Sequence, residues 1–435
     1  MRRTSQAGAS GGAAPSASSA LRIHHLATRA GRGGAARATR ALHRGLRAAG
    51  VESRLWVAER WCDDPGIALL PEPDDAPARA RAARIARDRA VFAATRPAGL
   101  EPFSDDRSPF GAAPLAALAQ ADLVHLHWVG GLLDHGELLP GLAARRPIVW
   151  TLHDMNGFTG GCHYDRGCGR WSRGCGRCPQ LGSRDASDLS RRVFERKARA
   201  LAAIASDRLH VVCLSRWLED QVARSPLLSR FDRSLIPGGA DPEFFTPFDR
   251  AAARRELGYG PDDRVVLFVA ASLASERKGA ARLVRALDRL RDVPGLRLLT
   301  AGKDALPAPS PVPHLALGLV DDRTRLARAY ATADVVAVPS LQDVSPHTAL
   351  EGLASGRPVV ATAAGGLCDL VDDERTGLLA SPDDAAYARA LGRVLRDDAL
   401  RDRLGRQAFR VAAQEFSPER SVGRTLDLYR KILGR

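Results

Sequence analysis

The stretch Pro339–Ala361, PSLQDVSPHTALEGLASGRPVVA, decides how the rest of the chain is read. It spells an apolar strand (Asp334–Pro339), a short loop, a helix and a second apolar strand (Pro358–Ala361). Ser345 is placed to cap the helix, Pro346 fits its first turn, and Gly356 can end it just before Pro358. Ala349, Leu350, Leu353 and Ala354 make one apolar stripe, and Glu351 lies off it. The pattern therefore aims Glu351 away from the core, near the open end of a parallel-sheet crevice, where ligands of such folds bind. Asp343 stands eight residues earlier, on the loop. Two acids flanking a helix start suit a site that grips sugar hydroxyls.

The same rhythm of apolar strand and helix extends in both directions. Ala20–Leu26 reads as a first strand, followed by Gly31, Gly33 and Gly34 at the turn into a helix over Ala35–Ala49. Glycines there let backbone N–H groups at a helix N-terminus approach a phosphate. Further strands are expected at Ala121–Trp128, Pro147–Leu152 and Leu209–Leu214. A Pro- and Gly-rich segment, Ser234–Pro247, separates them from a second series at Val265–Ala270, Leu296–Ala301 and Leu315–Val320, which ends near Gln414. Strands alternating with helices predict parallel, doubly wound sheets.

At 435 residues, two domains are the natural expectation. A composition of 45% hydrophobic and 26% charged residues is that of a globular protein. No apolar run has transmembrane length and no signal-peptide core opens the chain, which places the protein in the cytoplasm, with the inner membrane face as an option. Residues 1–20 are rich in Gly, Ala and Ser and are expected to be disordered. The net charge of +14 raises the question of nucleic acid. Aromatics are only 5% and do not interleave with the basic residues, so no stacking platform is expected and nucleic acid is excluded as a partner. The densest basic run, Ala78–Ala90, carries Arg81, Arg84 and Arg87 at turn-like spacing, either as a solvated face or as a rest for anionic lipid headgroups.

Four groups of residues carry chemistry. Lys278, in Ser275–Gly279, is one of four lysines in the chain and sits at a strand-to-helix loop; a compact ammonium there suits a departing diphosphate, with Arg277 beside it. Gly365 and Gly366 follow the strand after Glu351, where backbone amides could reach a phosphate or sugar oxygen. His153 ends a strand beside Asp154 and faces the crevice, whereas His125 and His127 alternate with apolar residues as structural histidines do, one of them a candidate for the border of the acceptor cleft. Cys162, Cys168, Cys175 and Cys178 lie within seventeen residues amid glycines. Four thiolates with one Cys-x2-Cys pair suit tetrahedral structural zinc, with His163 able to replace one sulfur; free thiols and disulfides are the alternatives.

Asp343 and Glu351 at this spacing resemble the Glu-x7-Glu signature of the family 4 retaining glycosyltransferases, with Asp in place of the first Glu. The segment from Gly33 through Val57, and the cysteine-rich loop over 160–180, resemble the colanic-acid and exopolysaccharide type of that family. The resemblance implies the GT-B fold: two Rossmann-like doubly wound α/β domains facing a central cleft. It divides the chain into an acceptor-side domain over 21–233, a nucleotide-sugar domain over 234–414, and a helix over 415–435 that crosses back to the first domain. It implies that Glu351 binds the nucleotide ribose, that Asp343 and His153 lie beside the donor sugar, and that Lys278, Arg277 and amides near Gly33, Gly34, Gly365 and Gly366 hold the diphosphate. Many relatives carry an arginine where Ser272 stands here. The implied activity is transfer of a sugar, with retention, from a UDP or GDP donor to a saccharide acceptor, lipid-linked at a membrane surface, with no cofactor required for catalysis. A nucleotide-sugar epimerase and a silent donor-binding scaffold are the alternatives.

Overall fold

The computed structural model describes residues 20–96 and 101–435; the N-terminal segment expected to be disordered lies, up to residue 19, outside the described residues. The first sheet has seven strands: β1 (Arg22–Ala30), β2 (Glu52–Arg60), β3 (Ile67–Leu69), β4 (Leu123–Leu126), β5 (Ile148–Leu152), β6 (Leu209–Cys213) and β7 (Asp232–Leu235), in the order β3-β2-β1-β4-β5-β6-β7. The second has six: β8 (Arg264–Ser272), β9 (Leu296–Lys303), β10 (His314–Ala316), β11 (Val335–Val338), β12 (Val359–Thr362) and β13 (Gly377–Ala380), in the order β10-β9-β8-β11-β12-β13. Neighbouring strands run parallel in both sheets. Every residue of β4, β5, β11 and β12 is buried, as strands must be when helices cover both faces of a parallel sheet.

Strand order reverses between β1 and β4 in the first sheet and between β8 and β11 in the second. Loops leaving such a pair part in opposite directions and open a crevice at the carboxyl ends of the strands. The sequence puts its chemistry there: Gly31–Gly34 follow β1, His127 and Trp128 follow β4, Arg277 and Lys278 follow β8, and Asp343 follows β11.

Two strand ends differ from expectation for identifiable reasons. β1 runs on to Ala30 because its polar end keeps pairing with β2, with Arg29 opposite Glu59 in register and bridged to it at 3.0 Å. The run Leu315–Val320 yields only the short β10, since Gly318 turns left-handed (φ 67°) and breaks the ladder.

The chain crosses between the sheets twice, side by side: the Ala240 N–H donates to the Phe416 carbonyl at 2.9 Å. The closing helix, Pro418–Leu433, then lies on the first helix, Gly34–Ala48. Gly45 makes the approach possible, because a Cβ there would sit 2.4 Å from Val422 Cγ2. Tyr429 reaches into the first domain, where its hydroxyl lies 2.5 Å from His125 Nδ1. Among the described residues, no helix is long and apolar enough to cross a membrane.

Candidate active site at the domain cleft

Asp343 and Glu351 are both buried, at 4% and 2% exposure, and each is met by cations from a different element. Lys278 Nζ donates to Asp343 Oδ2 at 2.7 Å, and the Arg277 guanidinium pairs with Asp343 Oδ1 at 3.2 Å. Arg323, at the start of the helix Arg323–Thr332, donates to Glu351 Oε1 at 2.5 Å, and the Tyr330 hydroxyl from the same helix donates to Oε2 at 2.7 Å. Burial works to raise both carboxyls, but Lys278 and Arg277 hold Asp343 below the ordinary carboxylate value, and Arg323 and Arg37 do the same for Glu351. Burial also draws the Lys278 ammonium below its usual value, against the pull of Asp343. Both acids are therefore ionised at neutral pH.

The structure corrects the local reading of this helix. It begins at His347 with Pro346 as N-cap and no side-chain cap, so Ser345 does not serve that role. Glu351 does not stand apart from the core: it is buried, because Arg323 and Tyr330 give it internal partners. The predicted stop holds: Gly356 is left-handed (φ 64°), and the Arg357 N–H donates to the Gly352 carbonyl.

The first domain closes on this site from two directions. Gly34, at the start of its helix, faces His347: a Cβ on Gly34 would lie 3.2 Å from His347 Cδ2. Tyr164, from the cysteine-rich loop, donates its hydroxyl to Asp343 Oδ1 at 3.3 Å and stacks under Arg277, whose Cζ is 3.8 Å from the ring centre. Glu101 completes the Arg277 pairing at 3.1 Å. Beside these contacts lies a cleft of ≈ 1180 Å³ between the domains, with Arg32, Gly33, Gly34 and Arg37 on one wall and Ala270, Lys303 and Asp321 among those on the other. A larger cavity of ≈ 2090 Å³ in the first domain, with Trp128, Arg89 and Arg196 in its walls, shares Arg29 and Glu59 with that cleft. The two spaces adjoin.

His153 is half-buried at the end of β5, with Nε2 3.4 Å from His127 Nδ1; His127 Nε2 in turn lies 3.0 Å from His25 Nδ1. Burial lowers the His153 imidazole to about 4, so it is neutral. His127 thus links His153 to the core, and both line a pocket beside the first and closing helices. Among the described residues, His25, His125 and His127 are the one group of three imidazole, thiol or carboxylate ligand atoms all within 4.8 Å of one another. Both His125 nitrogens are taken, by Tyr429 and by Thr151, and both of His127, by His25 and His153, whereas the buried His25 Nε2 has no hydrogen-bond partner among the described residues. His163 is likewise committed, to Asp154 at 2.5 Å and Ser104 at 2.9 Å, and is not free to replace a cysteine sulfur.

Gly365 and Gly366 pack against the Asp343 loop. The Gly366 N–H donates to the Asp343 carbonyl at 2.8 Å, so that amide is spent on holding the acid's backbone. Gly279, after Lys278, is left-handed (φ 77°), and a Cβ there would lie 2.0 Å from the Pro339 carbonyl oxygen. Gly279→Ala is expected to destabilise the fold by about 2–4 kcal/mol, from the left-handed backbone and the forced separation of the two loops. Urea unfolding midpoints of the two proteins measure it.

Sequence reasoning missed Arg323, Tyr330, Arg37, His347, Glu101 and Tyr164. Arg323 and Tyr330 come from one helix, His347 from the helix of Glu351, and Arg37, Glu101 and Tyr164 from three further segments.

Residues 32–244 match the model of Glycosyltransferase Family 4, and residues 263–397 that of Glycosyl transferases group 1. The first match ends within the Pro- and Gly-rich segment and the second begins beyond it, one for each sheet, and neither spans half of the chain. A D-inositol 3-phosphate glycosyltransferase of Nocardia farcinica is 33% identical over 310 residues, covering 67% of this chain and 62% of that one. Its counterpart in Mycobacteroides abscessus is 41% identical over 175 residues, 37% of this chain and 38% of its own. The matches thus span less than two thirds of these relatives' length. Sucrose-phosphate synthase from Thermosynechococcus elongatus has the same fold (TM-score 0.67, 21% identity, 95% of this chain and 99% of that one). So does an Anabaena protein, HepE, solved with UDP and glucose (TM-score 0.60, 16% identity, 94% and 100% coverage). The chain has the GT-B fold.

Proposed function

We propose that the chain moves a sugar, with retention of anomeric configuration, from a nucleoside diphosphate donor to a hydroxyl of a phosphate-bearing saccharide or polyol. The observation that carries this reading is the meeting of two loops at the sheet reversals: the glycine-led helix start at Gly33–Gly34 lines the interdomain cleft with Arg32, Arg37 and Lys303, and the loop bearing Arg277 and Lys278 holds Asp343. A diphosphate entering between them would take over the pairing that Asp343 makes with Lys278, and gain the amides of the helix start. Glu351, fixed by Arg323 and Tyr330, is then the acceptor for ribose hydroxyls. His153, neutral and at the crevice, orients the sugar. No side chain is placed as a covalent nucleophile in this mechanism; the leaving phosphate takes the acceptor's proton. The arginine- and tryptophan-bearing cavity adjoining the cleft fits an anionic, sugar-like acceptor, the shared chemistry of a lipid-diphosphate saccharide and an inositol phosphate.

Calorimetric titration with UDP and GDP sugars, in EDTA, tests the donor half: binding is expected, and no binding of any nucleotide sugar overturns it. Donor consumption without any acceptor would instead favour the epimerase. Supplying phosphate-bearing polyols and lipid-diphosphate saccharides separately then identifies the acceptor.

A further inference from the structure

The cysteine-rich loop has no part in the chemistry above, yet it gathers four thiols on one small pocket, with no three of the sulfurs within 4.8 Å of one another. Cys162, Cys168, Cys175 and Cys178 all line one small pocket, walled by Phe103, Trp171 and Pro179. All are free thiols. Three sulfurs have a backbone donor: the Gly160 N–H lies 3.2 Å from Cys175 Sγ, and those of Arg170 and Gln180 serve Cys168 and Cys178, while the Thr159 hydroxyl donates to the Cys162 carbonyl at 2.6 Å. In two cases the amide comes two residues after its cysteine. Amides directed at sulfur stabilise thiolates, the ligating form, and tune the ion they hold.

Charge gives the second, independent observation. Lys197 is fully buried, its ammonium donating to the carbonyls of Asn156 at 2.6 Å and Thr159 at 3.2 Å, and it interacts with Cys162 and Cys175. Arg96 interacts with Cys178 and Cys162 from the other side. A divalent ion on four thiolates carries a net charge of −2, which Lys197 and Arg96 balance.

We propose that these four cysteines bind one zinc ion, and that the ion secures the next residues of the loop as a latch across the domain cleft. Binding exchanges four S–H protons for four Zn–S bonds, with no redox change. The glycines at 174 and 176, both left-handed, let the loop draw its sulfurs onto the ion. The segment it anchors bridges the domains: Tyr164 reaches Asp343, Asp165 accepts from Gln342 at 2.8 Å, and Arg166 pairs with Glu276 at 2.6 Å while its N–H donates to Gln342 at 3.0 Å. The latch rests on the donor-site reading above; the zinc assignment does not.

The test is elemental analysis of the full chain purified without added metal, followed by zinc release with an organomercurial in the presence of a colorimetric chelator. About one zinc per chain is expected, lost in Cys175→Ser and retained in Cys368→Ser, whose thiol is exposed and lies outside the loop. Reduced thiols without metal, intramolecular disulfides by intact mass, or an iron–sulfur chromophore would each overturn the zinc site, and wild type alone suffices to see them. For the latch, UDP affinity is compared before and after zinc removal. A tenfold or greater weakening is expected, and unchanged affinity overturns the latch. If the zinc-loaded chain binds no nucleotide, the donor reading has failed while the metal content still decides the site.

Discussion

Replacing Lys278 by alanine should weaken UDP or GDP binding by ten- to a hundredfold and slow sugar transfer by about 10²–10³-fold while leaving the fold intact. The affinity estimate follows from loss of a charge-assisted hydrogen bond of about 1.5–3 kcal/mol. The rate estimate follows from removal of one fixed group that stabilises charge developing on the leaving diphosphate. Asp343 keeps Arg277 as a partner in that variant, so no buried carboxylate is left bare. Glu351→Ala should behave differently. It strands Arg323 beside Asp241 alone and leaves the Tyr330 hydroxyl without its acceptor, in an interior where breaking a buried pair costs about 3–5 kcal/mol. Donor binding should fall together with the melting temperature, and Lys278→Ala should lower only the first. Calorimetry and thermal melts on the two variants separate these outcomes. Wild-type affinity in Lys278→Ala would remove the diphosphate from this loop.

That contrast also marks where sequence reasoning reaches its limit. The sheets were legible because parallel strands covered on both faces read as unbroken apolar runs, as in Val335–Val338 and Val359–Thr362. Lys278 and Asp343 were legible because loops at the ends of such strands carry function, and because a lysine is rare in this arginine-rich chain. The partners of Glu351 were not. Arg323 and Tyr330 lie 28 and 21 residues upstream on another helix, and their composition is that of any surface helix in this protein. For that reason Glu351 read as an acid aimed away from the core at the crevice, with no internal partners, when it is buried and ion-paired. Tyr164 was hidden in a similar way, inside a loop whose cysteines and glycines drew the reading toward metal. Contacts between distant elements leave no local period to detect.

The histidines, read at first as single candidates, together set the protein's acid limit. His25, His43, His125, His127 and His135 are each no more than 3% exposed. Burial lowers all five: His43 to about 4, His125 and His135 to about 3, and His25 and His127 well below the ordinary value. Neighbouring imidazoles oppose protonation of His25 and His127 further. Between the unfolded value near 6.5 and these folded values, the unfolded chain binds more protons, so stability falls as pH falls. Each such group removes about 1.4 kcal/mol per pH unit, and the five together about 7 kcal/mol by pH 5.5. Native domains hold only about 5–15 kcal/mol in total. Acid unfolding is therefore expected with a midpoint near pH 5–5.5, and steeply. The buried carboxylates act in another window: Asp343 and Glu351 have lowered folded values, so their contribution is present above their unfolded values near 4 and is lost only below them. Far-UV circular dichroism against pH distinguishes the two. Loss of structure starting only near pH 4 would assign acid sensitivity to the carboxylates and refute the histidine account. His135 allows a sharper check, because its ring packs at 6.0 Å from that of Trp150, away from the cleft. Phenylalanine there preserves an aromatic contact and deletes one titrating base, so His135→Phe should move the midpoint to lower pH and reduce the steepness of the transition.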